Sequence, residues 1–242
     1  MEHITALQRT TPNICLSGGA AGADLEWGQS ATLASHALIH WTFPTHRGPA
    51  PPSTCIPLSD TQLSTALPAI TLAAKALRKS PPRNPHIRRL TLRNYFQVRW
   101  ATSCYAVTVI QDEEDQARGA KVGGTAWATA MFAQMNAEGG QRRMWVFCQR
   151  RGVWLRWGGD WAGRKWEVVE GRPPRPEGVW AGIGSRVLEE NGRRAIRELM
   201  GVEGGEGIGE EKGGAEREGE KEGEGKEEEK EEGKGKGKVG GG

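Results

Sequence analysis

Two hydrophobic periods share the first 202 residues. Short, mainly apolar runs that predict strands occur at 14–16, 37–43, 105–110, 144–148, 153–157 and 179–183, with a further candidate at 165–169; the β-branched run 105–110 reads as fully buried. Between them lie stretches with helical spacing. One is predicted over 24–34, another over 87–102, and an Ala- and Met-rich one over 127–136. Leu188, Ala195, Ile196 and Leu199 form a last stripe. Ser59 and Gln62 make a capping box ahead of Leu63, Leu67, Ile70, Ala74 and Leu77, which predicts a helix over 60–79, bent near Pro68. The segment 44–57 is too rich in proline for regular structure and is expected to be a loop.

Strands alternating with helices predict an α/β fold with a mostly parallel sheet covered on both faces. The runs at 144–148 and 153–157 predict a hairpin in a small Trp-rich patch. Three strand-to-helix junctions carry small-residue turns: Ser17, Gly18, Gly19 and Gly22 ahead of Asp24; Gly123, Gly124 and Thr125; and Gly184, Ser185 and Arg186. Such turns let the backbone approach a ligand and present the N–H groups of a helix start to an anion. In a parallel sheet they gather at the carboxyl ends of the strands, where ligands bind.

Composition changes the extent of this picture. Residues 203–242 hold 15 Gly, 14 Glu, 7 Lys and 1 Arg and no aromatic residue, and are expected to form a disordered tail. The tail's net charge is −6 against +3 for the whole chain, so the body carries +9, which suits phosphate-bearing partners or simply a well-solvated surface. The expected organisation is one domain over 1–202 followed by the tail. Cys15, Cys55, Cys104 and Cys148 lie far apart with no CxxC pair, an argument for reduced thiols and against a disulfide framework or zinc site. The five histidines lack metal-ligand spacing, and neither a metal nor a cofactor is expected. No stretch approaches the roughly 18 apolar residues of a membrane span, and no secretory leader is evident, so the expected location is cytoplasmic, away from membranes.

The motifs SGGAAGAD, LRNYFQV, VGGTAW and AGIGSR, in this order, resemble the SLOG superfamily of Rossmann-like nucleotide-binding proteins, which includes the Smf/DprA and LOG proteins. The likeness covers about residues 13–200 and is closest to the circularly permuted YpsA-type branch. In unpermuted relatives the GSR strand and its helix come first; here residues 181–186 come last. The resemblance implies a pocket for a nucleotide or nucleotide-derived ligand, lined by the three turns, with Arg93 and Asn94 reaching in from their helix. It also makes a homo-oligomer plausible by analogy.

The residue types suit that chemistry. The hydroxyls of Ser17, Thr125 and Ser185 can donate to phosphate, Arg93 and Arg186 can pair with it bidentately, and Asp24 can accept from a ribose hydroxyl. Each has a structural rival: Asp24 suits the first turn of any helix, Thr125 is a good N-cap, Asn94 can brace a loop, and Trp127 either stacks on a base or lies in the core. LOG phosphoribohydrolases carry PGG-x-GT-x-x-E. Aligning their GT with Gly124 and Thr125 puts Ala128 at the Glu and Ala120, Lys121 and Val122 at PGG, which counts against that activity. Asp24 is the best remaining catalytic candidate, followed by Glu26. Alternatives are a DprA-like nucleic-acid-binding protein using Arg83, Arg88, Arg89 and Arg99, and a scaffold acting through the Trp-rich hairpin.

Overall fold

In the computed structural model, which describes residues 2–110, 123–137, 143–158 and 166–202, eight strands form a single sheet. In chain order they are β1 (Ile14–Ser17), β2 (Ala37–Thr42), β3 (Cys55–Pro57), β4 (Ser103–Thr108), β5 (Arg143–Cys148), β6 (Val153–Trp157), β7 (Trp166–Val168) and β8 (Val179–Gly184). The spatial order is β3-β2-β1-β8-β4-β5-β6-β7. The first six of these are mutually parallel; β6 and β7 add an antiparallel extension through the predicted hairpin. The last strand of the chain thus occupies the middle of the sheet, between β1 and β4.

Seven helices accompany the sheet among the described residues: α1 (Glu2–Gln8), α2 (Ala23–Leu33), α3 (Asp60–Ser64), α4 (Leu67–Leu77), α5 (Pro85–Val98), α6 (Gly124–Ala137) and α7 (Glu190–Met200). The central strands alternate their side chains between two cores. Ile14, Leu16, Cys104, Ala106, Ala181 and Ile183 face one layer, with α3 to α6. Cys15, Tyr105, Val107 and Trp180 face the other, where α2 and α7 supply Trp27, Ala31, Ile196 and Met200. This is the expected Rossmann-like α/β arrangement. All described residues fall within one compact unit, Met1–Gly205.

Three local expectations are corrected. The predicted helix over 60–79 is two helices: the Ser59–Gln62 capping box starts α3, and the chain restarts at α4 with Pro68 in its first turn, where the missing N–H costs nothing. Within the presumed loop 44–57, a short 3₁₀ turn (Pro52–Thr54) leads into β3, which pairs with β2 as an edge strand and so tolerates Pro57. Residues 2–8 form α1, anchored by the single buried side chain Ile4. Strand 105–110 is shifted to Ser103–Thr108. The expectations for the loop 111–122 and for the tail 203–242 lie outside the described residues.

No helix among the described residues is long and apolar enough to cross a membrane. Cys15, Cys104 and Cys148 are buried free thiols, and Cys55 is a partly buried one.

Candidate functional site

The three glycine turns meet at the carboxyl ends of β1, β8 and β4. Helix α7, following β8, packs in one layer, whereas α6, following β4, packs in the other. Adjacent parallel strands that send their helices to opposite faces open a crevice between them.

A buried polar network ties the turns together. Asp24 opens α2; its Oδ1 accepts from the backbone N–H of Gly184 at 3.0 Å, and its Oδ2 accepts from Gln97 Nε2 at 3.3 Å. Arg93 Nη2 lies 3.6 Å from the same Oδ2, and Arg93 Nη1 donates to the Gly18 carbonyl. Arg93 Nη2 also donates to Asn94 Oδ1 at 3.2 Å, and Asn94 Nδ2 donates to the Gly124 carbonyl at 3.1 Å. One contiguous chain of groups from α2 and α5 therefore touches the first turn at Gly18, the second at Gly124 and the third at Gly184.

The network is dry. Asp24 and Arg93 are 5% and 4% exposed. Burial pushes the Asp24 carboxyl above its ordinary value, and Arg93, the Gly184 N–H, Gln97 and Arg186 offset this only in part. Burial likewise lowers Arg93, opposed by Asp24 and reinforced by Arg186. The carboxylate and guanidinium are thus engaged with each other and with the turns.

The remaining expected site residues divide into seam and mouth. Ser17 Oγ donates to the Asp24 carbonyl at 2.9 Å. The N–H of Ala23 donates to the Ser185 carbonyl at 3.0 Å, so the start of α2 is closed by the third turn. Gly22 sits at that seam with φ +88°, and a Cβ there would overlap the carbonyl oxygens of Ser185 and Arg186. Thr125 is buried inside the first turn of α6, where its carbonyl accepts from Thr129. Gly123, Gly124 and Arg186 are exposed at the mouth, and Arg186 has no ion pair among the described residues. Trp127 is core, 5% exposed.

Sequence reasoning passed over three contributors. Gln97 lies one turn beyond Arg93 on α5, a spacing that puts both on one face. Gln149, at the end of β5, braces the third turn: Nε2 donates to Ser185 Oγ at 3.4 Å and to the Val187 carbonyl at 3.2 Å, while Oε1 accepts from the Glu189 N–H at 2.8 Å. No local signal marks it, since its partners lie almost 40 residues away. His40, from β2, lies against Gly19. Glu26, the second carboxylate candidate, is buried and paired with Arg193 and Arg197 of α7, which fastens α2 to α7.

A cavity of about 740 Å³ lined by Arg172, Arg175, Glu198 and Gly201 opens at the other end of the sheet, at the C terminus of α7. There Arg172 Nη1 donates to the Glu198 carbonyl at 2.9 Å, so its charge serves the helix end. The sheet topology favours the glycine-turn end, where the carboxyl ends of the parallel strands gather, over this hollow. Among the described residues no group of three or more His, Cys, Asp or Glu is placed to hold a metal ion. Comparison of the chain with protein-family models, with curated proteins and with solved structures finds no match.

Proposed function

We propose that this chain binds a nucleotide or nucleotide-derived ligand in the crevice between β8 and β4, as a permuted member of the SLOG superfamily. The observation that carries the reading is the convergence of three glycine turns on one buried Asp24–Arg93–Asn94 network at the carboxyl end of a parallel sheet. The central placement of β8 supports the permutation: with β8 and α7 moved to the front of the chain and the short edge strand β3 set aside, the strands β2-β1-β8-β4-β5 read 3-2-1-4-5, the order of doubly wound nucleotide-binding sheets. In this reading Gly123, Ser185 and Arg186 meet the ligand, while Ser17, Gly22, Asp24, Arg93 and Asn94 hold the turns in register.

The site favours binding over base-cleaving hydrolysis. N-glycosidic cleavage needs a carboxylate near the sugar. Asp24 and Glu26 are both engaged by protein partners, and position 128 carries a buried alanine facing the core. A thermal-shift screen of the full chain against nucleoside mono- and diphosphates, ADP-ribose and NAD tests the reading. A ligand present at 100 times its Kd adds about 2.7 kcal/mol, a shift of roughly 5–10 °C for a domain of this size. No shift with any class refutes it.

A second reading, single-stranded nucleic-acid binding, draws on one feature of α5. Arg99 lies over the rings of Tyr95 (5.3 Å) and Trp100 (5.1 Å), with Arg83 and Arg88 also exposed, whereas Arg89 is paired with Asp60. Affinity for single strands that falls steeply with salt would select it.

A further inference from the structure

Loop 43–50, between β2 and β3, folds back over the first glycine turn. Gly19 (φ +63°) is packed so closely that a Cβ there would lie 2.7 Å from Ala50 Cβ and 3.1 Å from His40 Cγ. On the loop, Gly48 faces the Gly19 carbonyl and the His46 ring, with a Cβ at position 48 reaching to 2.6 Å and 3.2 Å. His46 Nδ1, His40 Nδ1 and Arg93 Nε are all buried without a hydrogen-bond partner, although His40 is 1% and Arg93 4% exposed. Native interiors leave few such groups orphaned. The Arg93 Nε–H can donate only to an acceptor, and either imidazole Nδ1 can donate once its ring is protonated, so a single anion beside the turn would satisfy all three.

The charges around the turn have one sign in excess. Arg93 of α5 and Arg186 of the β8–α7 turn face one carboxylate, Asp24, while His46 of the loop, His40 of β2 and His86 of α5 complete the surroundings. We propose that loop 43–50 and the first glycine turn form a subsite for a dianionic group of the phosphate type, held at the rim by His46 and Arg186 over Arg93 and His40, and filled together with a proton. This rests on the nucleotide reading in taking the dianion to be the ligand's phosphate. In the protein by itself His40 and His46 are both held at about 4, by burial first and then by Arg93, with His46 adding to the effect on His40 and His86 and Arg186 adding to that on His46. A dianion beside them reverses the local sign, so an imidazole gains a proton as the anion enters.

Sulfate is the probe, because it does not titrate near neutral pH and every proton taken up belongs to the protein. With the full chain, calorimetric titration in buffers of different ionisation enthalpy should give net proton uptake, with affinity roughly tenfold tighter at about pH 5.5 than at about pH 8 for an imidazole raised by two to three units. His46→Gln, on an exposed loop, should remove most of the pH dependence. Arg186→Gln should weaken binding at both pH values while proton uptake persists. Should His46→Gln fail to fold, the imidazole resonances of the unaltered chain, followed by NMR during titration, give the same answer through a rise in pKa. Absence of sulfate binding at both pH values, or binding without proton uptake, overturns the proposal. Sulfate binding with proton uptake but no nucleotide shift sustains the subsite and refutes the nucleotide reading. A nucleotide shift without proton-linked sulfate binding does the reverse.

Discussion

Removing either half of the Asp24–Arg93 pair should have unequal consequences, because only one half can discharge itself. In Asp24→Ala the guanidinium stays charged, 4% exposed, with no carboxylate nearby, and the Gly184 N–H and Gln97 Nε2 lose their acceptor. Breaking a buried pair in this way costs about 3–5 kcal/mol. At about 2–4 °C per kcal/mol for a domain of this size, melting should fall by roughly 6–20 °C. In Arg93→Met the remaining carboxyl can take up a proton and keep accepting from Gly184, so the loss reduces to unmet hydrogen bonds at Gly18 and Asn94, about 1–3 kcal/mol. The sign of the pH dependence follows. A carboxyl whose folded pKa lies above the unfolded value of 3.8 contributes its stability in full below that value and loses it as pH rises through the folded pKa. Arg93→Met, which removes the main opposing charge, should therefore cost less at about pH 4.5 than at about pH 7.5, while Asp24→Ala should not recover in acid. Urea melts of both single variants and the double variant at the two pH values give the comparison. Asp24→Ala melting within 2 °C of the parent, or Arg93→Met costing more than Asp24→Ala at neutral pH, would refute the claim that this pair locks the turns.

Other consequences can be checked on the same material. His40, at about 4 when folded against 6.5 as its ordinary value, contributes stability that is complete above 6.5 and lost as pH falls toward 4; the contribution is about 3 kcal/mol, and His40→Leu should flatten the acid limb of a stability-pH curve. Gly22→Ala introduces both a positive φ and an overlap with the Ser185 and Arg186 carbonyls, so it should cost at least about 2 kcal/mol in chemical denaturation and weaken any ligand of the crevice. Gln149→Ala removes the brace on residues 185–189; it should speed amide hydrogen exchange at Glu189, whose N–H donates to the lost side chain, while β5 stays protected.

What could be read from the sequence was governed by the range of the interactions involved. Local patterns placed β1, β2, β5, β6 and β8, and the Ser59–Gln62 capping box marked the start of α3 to the residue. Proline was misread twice, because its effect depends on position: at Pro68 it begins a helix, and at Pro57 it ends an edge strand, neither of which requires its missing N–H. The short helix α1 gave no period, having one buried side chain. Within the site, the motifs identified Asp24, Arg93 and Asn94, but their partners were invisible. Asp24 reaches Gln97 across 73 residues and Gly184 across 160, and such pairings are set by topology alone.

That topology also fixes when the site can exist. The third turn belongs to β8, which enters between β1 and β4 only after every other strand has been made, and it is β8 that offers the Gly184 N–H to Asp24 and the Ser185 carbonyl to Ala23. Until residues 179–200 dock, Asp24 and Arg93 face a gap in the sheet centre, the N terminus of α2 is uncapped, and Glu26 lacks Arg193 and Arg197. Burying a carboxylate and a guanidinium is unfavourable until their hydrogen-bond partners are in place. Without β8 the pair keeps its contacts with Gln97, Gly18 and Asn94 but Asp24 lacks the Gly184 N–H and the start of α2 lacks the Ser185 carbonyl. The strand that completes the centre of the sheet thus also supplies the last partners of the candidate site.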